Sequence, residues 1–156
     1  MNHWHWSKHL HYTWVTLLFL NSVGADVTIT DLPLAVPQLQ KNVSANTPPG
    51  GWCSAEPAVV PLSWGQDQEN FPSDWDLVLG ADIVYLSDTY PLLVETLTHL
   101  CKDGAVAYLS SKMRMEHGTP CFYDGNLPQK FHVELVQRDQ EQNISIYRAT
   151  VRRDVW

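Results

Sequence analysis

Asp76-Leu77-Val78-Leu79-Gly80-Ala81-Asp82-Ile83-Val84-Tyr85 is a short apolar run that ends in a small residue, a carboxylate and, three positions on, an aromatic ring. Leu77, Val78 and Leu79 offer apolar side chains to both faces of a strand, the pattern of a buried parallel strand covered by helices on either side. In open α/β sheets, ligands bind beyond the carboxyl ends of such strands, so the chemistry is expected at Gly80 to Tyr85. The plainer alternative is a core strand and an ordinary turn in which Asp82 caps a helix.

Toward the carboxyl end, Ser87 or Asp88 is placed to cap a helix over about 89–101, where Leu92, Leu93, Leu97 and Leu100 form an apolar stripe. Gly104 restarts the chain as Ala105-Val106-Ala107-Tyr108-Leu109-Ser110, a second buried strand. Residues 112–129 are polar and broken by Gly118, Pro120 and Gly125, which predicts at best a short or irregular helix. Residues 131–136 and 143–151 alternate with period two around the acidic connection Asp139-Gln140-Glu141 and read as a closing antiparallel hairpin.

Toward the amino end, Ala58 to Leu62 reads as a short strand, with Pro61 at its end or on an edge, leading into Ser63-Trp64-Gly65. Trp64 either offers its indole face to an adenine ring or closes the sheet edge as an apolar lid. Thr47-Pro48-Pro49-Gly50-Gly51 is a loop. Before it, the β-branched run Val27-Thr28-Ile29-Thr30 ends in Asp31, and 34–46 has a mostly helical pattern. A carboxylate at the end of such a strand can accept hydrogen bonds from both ribose hydroxyls of an adenosyl ligand. Taken alone, Asp31 reads better as a helix N-cap beside Pro33.

The first 25 residues differ in kind. They carry His3, His5, His9 and His11 among tryptophans, then the apolar run 14–20, too short to span a bilayer. That run reads either as a secretory signal or as a helix packed on the sheet and ended by Gly24, and the helix is preferred. The histidines lack an acidic second shell and are read as incidental rather than as a metal site. The sequons Asn42-Val43-Ser44 and Asn143-Ile144-Ser145 matter only under the secretory reading. Cys53, Cys101 and Cys121 suggest neither a disulfide framework nor a zinc site, so a reducing, cytoplasmic setting is expected. A formal net charge of -7 disfavours a nucleic-acid partner and suits a basic protein surface.

Strand-Asp31, strand-Trp64, strand-Ala81-Asp82 and a terminal hairpin come in the order used by seven-strand methyltransferases. Residues 26–152 resemble the methyltransferase-like lysine methyltransferases (family 16), most nearly the branch that modifies elongation factor 1-alpha. The resemblance rests on Val27 to Pro33, Leu62-Ser63-Trp64-Gly65, Asp76 to Tyr85, Ser111-Lys112-Met113-Arg114 and Ile146-Tyr147-Arg148. Asp82-Ile83-Val84-Tyr85 fits the family's acidic-x-x-aromatic signature. It implies an α/β, Rossmann-like class I methyltransferase sheet and S-adenosylmethionine as cofactor. It implies a protein substrate, elongation factor 1-alpha, with no nucleic-acid or membrane partner and a monomeric state. By the same resemblance Asp31 holds the ribose hydroxyls, Trp64 packs on the adenosine and Ala81 leaves room for the cofactor. Asp82 and Tyr85 face the incoming lysine.

The family places a first strand and a glycine-rich turn about 20 residues before the acidic residue. Here that place holds Lys8-His9-Leu10-His11-Tyr12-Thr13, and no glycine precedes Gly24. The expectation is a divergent segment over 1–25 and a methyltransferase domain over 26–156 that lacks that strand and turn and binds its cofactor weakly. Two other functions are weighed. One is a non-catalytic interaction protein that keeps the substrate-facing half of the fold. The other is a nicotinamide-dependent oxidoreductase, which shares an acidic residue after the second strand but gives Trp64 and Asp82-x-x-Tyr85 no role.

Overall fold

The computed structural model describes residues 24–46, 51 and 55–153. The predicted helix over 14–20, the four amino-terminal histidines, Cys53 and most of the 47–51 loop lie outside them. The chain divides into two compact units, Met1–Ser63 and Trp64–Trp156.

In the first unit, β1 (Thr28–Asp31) and β2 (Ala58–Pro61) pair in parallel from Thr28 opposite Ala58 to Asp31 opposite Pro61. Pro61 is thus the last residue of its strand, where a missing N–H costs no ladder bond. Helix α1 (Val36–Ala45) connects them, with a proline in its first turn. Ile29 and Val43 are buried together, and Val27, Leu39 and Val59 pack around them. Asp31 caps no helix: α1 starts after Ala35, and Asp31 Oδ1 accepts the backbone N–H of Leu32 at 2.7 Å.

The second unit is a four-stranded sheet in the order β3-β4-β6-β5, with β3 (Leu77–Ala81), β4 (Val106–Lys112), β5 (Phe131–Asp139) and β6 (Ile144–Val151). β3 and β4 are parallel, and β6 runs antiparallel to both β4 and β5. The closing hairpin therefore forms as predicted, with a register shift between Leu135 and Gln137. Helix α2 (Tyr90–Leu100) links β3 to β4, turning Leu93, Val94 and Leu97 inward. Residues 115–129 form an irregular helical run: a 3-10 turn, a single α-turn, a π-turn at Phe122–Asn126 and a last 3-10 turn. That run contributes Phe122, Tyr123 and Leu127 to the core beside Ala107, Leu109, Phe131 and Ala149.

Two expectations are corrected. The opening strand was read as buried on both faces, yet Leu77 is 41% exposed and Gly80 is the buried member of β3. β3 ends the strand order of its sheet, and the core of this unit gathers on the Val78, Ala107 and Leu109 face. Neither Ser87 nor Asp88 caps α2. They lie in a 3-10 turn, the helix opens on Thr89 without a side-chain cap, and Pro91 supplies the preset backbone of the first turn.

Candidate functional site

The carboxyl end of β3 is shaped by a glycine. A Cβ on Gly80 would stand 2.6 Å from Ile83 Cδ1 and 2.9 Å from Leu109 Cδ2, so Ile83 folds back beneath the strand end only because position 80 has no side chain. The chain then reverses at Asp82, whose φ of 54° lies in the left-handed region. A non-glycine residue there is sterically disfavoured, although Asp tolerates it better than most. Its backbone N–H is fixed to Ser110 O at 2.7 Å, across the partner strand β4.

The Asp82 carboxylate meets a guanidinium. Arg114 Nη1 donates to Oδ1 at 2.7 Å and Nη2 to Oδ2 at 3.0 Å, and both side chains are about four-fifths buried. This parallel, bidentate geometry is the strong form of the pair. It raises the Arg114 pKa above its ordinary value, chiefly through the hydrogen bond to Asp82, against an opposing desolvation cost. Asp82 is accordingly a group oriented by Arg114 and not a helix cap.

Behind the pair, Ser111 Oγ and the Tyr123 hydroxyl are 2.7 Å apart, and the Tyr123 ring stacks on Tyr147 with centroids 3.8 Å apart. Burial pushes the Tyr123 phenol pKa well above its usual range, so it stays protonated. Tyr85 meets the edge of Trp64 with centroids 6.5 Å apart. Trp64 packs partly buried against the core, and the next residue, Gly65, has φ 74° and gives its N–H to Thr96 Oγ1 at 3.0 Å. Two open hollows of this unit, of about 530 and 600 Å³, lie against the hairpin and beside α2, and neither is lined by Trp64, Asp82 or Tyr85.

The structure thus brings Trp64, Ala81, Asp82 and Tyr85 to one strand end and its flanking loop in the second unit, while Asp31 ends β1 in the first. The donor chemistry fits the expected ligand within each unit. Asp31 Oδ1 is used by Leu32, leaving Oδ2 without a hydrogen bond among the described residues and able to take a ribose hydroxyl. Trp64 supplies an aromatic surface and Ala81 a small side chain at the strand end. Sequence reading gave no role to Arg114, although it lies in the quoted stretch Ser111-Lys112-Met113-Arg114. It also missed Ser111 and Tyr123, whose partner is 12 positions away. Among the described residues no group of His, Cys, Asp and Glu is placed to hold a metal, and no helix is long and apolar enough to cross a membrane.

A family model described as "Lysine methyltransferase" matches residues 15–124. The chain belongs to the lysine methyltransferase family. It is 58% identical over 129 residues to "EEF1A lysine methyltransferase 3" of Mus musculus, covering 83% of this chain and 54% of that one. To the protein of the same description from Xenopus tropicalis it is 52% identical over 138 residues, covering 88% and 60%. "Protein N-lysine methyltransferase METTL21A" of Mus musculus is 41% identical over 135 residues, covering 83% and 58%. The chain thus spans little more than half the length of these curated relatives. A solved structure described as "Conversion of a Disulfide Bond into a Thioacetal Group during Echinomycin Biosynthesis" is similar at TM-score 0.58 and 14% identity, over 85% of this chain and 70% of that one. At that identity the likeness concerns the fold alone. The mixed α/β sheet of parallel and antiparallel strands agrees with it.

Proposed function

We propose that this lysine methyltransferase chain is an S-adenosylmethionine-dependent protein-lysine N-methyltransferase acting on elongation factor 1-alpha, as a monomer in the cytoplasm. The observation that carries the reading is the Asp82 carboxylate, gripped by Arg114 just past the β3 end and three residues before Tyr85, in a chain of this family. The architecture proposed with it is a Rossmann-like seven-strand class I sheet over 26–156, following a divergent segment over 1–25 and lacking the first strand and the glycine-rich turn.

When bound, S-adenosylmethionine supplies an electrophilic methyl group on a sulfonium sulfur. Asp31 would hold its ribose hydroxyls, Trp64 its adenosine, and Ala81 would leave space for it. Asp82 and Tyr85 line the approach of the lysine. An amine attacks only after losing its proton, so its surroundings must not overstabilise the ammonium form. A bare carboxylate would do that. Asp82 paired with Arg114 presents a nearly neutral group that orients the amine through hydrogen bonds while adding little field in favour of its charge.

The test is transfer of a radiolabelled methyl group from S-adenosylmethionine to purified elongation factor 1-alpha by the full chain, with Asp82→Asn as the control. Label on a lysine, lost in the variant, is the expected result. Absence of label together with stable binding of elongation factor 1-alpha would favour the interaction protein instead.

A further inference from the structure

The two non-glycine residues with a left-handed backbone among the described residues are Asp82, at φ 54°, and Asn143, at φ 55°. Strained backbone of this kind persists where the surroundings over-determine it and gathers at functional sites. Asp82 is in the candidate site. Asn143 has no role in the site described so far, yet hydrogen bonds to Met113, and from the adjoining Arg114 to the carboxylate, connect it to Asp82.

The β4–β6 ladder runs down to Lys112 opposite Ile144, so its next rung is Met113 opposite Asn143. A hydrogen-bonded antiparallel rung exchanges two N–H···O bonds. Met113 N–H donates to Asn143 O at 2.8 Å, and the return bond comes from a side chain, Asn143 Nδ2 donating to Met113 O at 2.7 Å. The left-handed turn removes the backbone donor from this rung, and the amide replaces it. Its orientation is fixed in turn, for Arg138 Nη2 donates to Asn143 Oδ1 at 3.3 Å and Arg138 Nη1 to the buried Ser145 Oγ at 3.3 Å. Met113, held at both its N–H and its C=O, directly precedes Arg114, which grips both oxygens of Asp82.

We propose that Asn143 is a positioning residue for the candidate site: by clamping Met113 it holds the Arg114 guanidinium in the plane of the Asp82 carboxylate. Asn143 would thereby act on the aim of Asp82 without touching substrate. The clamp also assigns the Asn143-Ile144-Ser145 triplet a structural use, since the amide nitrogen that a glycan would require is engaged on Met113.

Two variants of the full chain separate the clamp from general stability. Asn143→Gly keeps the left-handed turn at no steric cost but deletes the amide. Asn143→Asp places an acceptor against the Met113 carbonyl. The readout is the set of Arg114 Nη–H resonances in nitrogen-edited NMR, which stay separate while the guanidinium is held bidentate and merge when it rotates. Rotation at least tenfold faster is expected in both variants, with Val133→Ala, a hairpin substitution, leaving the signals as in the parent chain. Asn143→Gly decides alone if Asn143→Asp does not fold. Unchanged Arg114 resonances in folded Asn143→Gly, or equal merging in Val133→Ala, would overturn the assignment. The activity arm rests on the proposed methyl transfer, where kcat should fall about tenfold with the cofactor KM unchanged. If the parent chain transfers no methyl group, that reading fails by itself, and the resonances still decide the role of Asn143.

Discussion

Arg114 holds Asp82 through both carboxylate oxygens, at 2.7 and 3.0 Å, reaching from the loop after β4 to a residue whose own backbone is left-handed. The pair spans two parallel strands whose ends are already tied by the Asp82 N–H to Ser110 O bond. Charge pairing and strand pairing thus fix the same residue. The energy recovered from the bidentate contact offsets the unfavourable conformation at Asp82, of order 1 kcal/mol.

Removing the guanidinium leaves a partly buried carboxylate without its partner. Arg114→Ala is therefore expected to lower stability by about 1–3 kcal/mol, less than for a fully buried pair because water reaches both side chains. Arg114→Lys keeps the charge but not the planar fork and should recover less than half of that loss. Urea unfolding of the three chains measures it, and equal midpoints would show that the pair contributes nothing to the fold.

Gly80 and Gly65 are each expected to resist alanine, for different reasons. At Gly80 the added Cβ meets Ile83 and Leu109 inside 3 Å, a packing conflict under the strand end. At Gly65 it meets Leu92 Cδ2 at 2.5 Å and must also adopt φ 74°. Both changes should cost about 1–3 kcal/mol. Gly80→Ala should in addition shift the Asp82 amide resonance, because Ile83, the next residue, must give way to the added Cβ.

The strands, their order of types and the closing hairpin were legible because apolar periodicity and turn residues are local signals. Asp31, Trp64, Ala81 and Asp82 could be singled out as candidates because each stands at or shortly after a strand end, where open α/β sheets bind their ligands. Arg114 and Asn143 were not, since their roles come from partners 32 and 30 positions distant. No local pattern encodes such a pairing. The half-exposed Leu77 was misread for the same reason: an apolar run indicates a strand but not how many neighbours cover its two faces.

Alkaline pH should destabilise the second unit. Burial pushes the Cys101 thiol pKa up to about 12 from 9.0, and burial also raises the phenols of Tyr90 and Tyr123. Below about pH 7.5 these groups are neutral in both folded and unfolded chains and leave stability unchanged. As pH rises past their unfolded values, the unfolded chain loses protons that the folded chain keeps, and stability falls by at most about 1.4 kcal/mol per pH unit for each group. Unfolding midpoints between pH 8 and 11 should therefore decline, and Cys101→Ala should make the decline shallower. An identical slope in the variant would mean that Cys101 ionises as readily in the folded chain as in the unfolded one.

The two carboxylates at strand ends should be separable by kinetics. Asp31 ends β1, where its Oδ2 is open to a ribose hydroxyl while Oδ1 is taken by Leu32. Asp31→Ala is expected to weaken S-adenosylmethionine binding by about 1.5–3 kcal/mol, the worth of a charge-assisted hydrogen bond to a hydroxyl, with turnover at saturating cofactor largely kept. Asp82 directly follows β3 under the grip of Arg114 and is proposed to face the lysine, so Asp82→Asn should lower kcat far more than it weakens the cofactor. Asn at this position is nearly isosteric and tolerates the left-handed backbone, so the loss would report the carboxylate and its pairing with Arg114 rather than the shape of the turn. Tyr85→Phe keeps the ring beside Trp64 and removes the hydroxyl, and should fall between the two. Calorimetry with S-adenosylmethionine and initial rates with elongation factor 1-alpha measure both quantities on each variant. If Asp82→Asn kept kcat and raised only the cofactor dissociation constant, Asp82 would belong to the cofactor site and the lysine-facing assignment would fall.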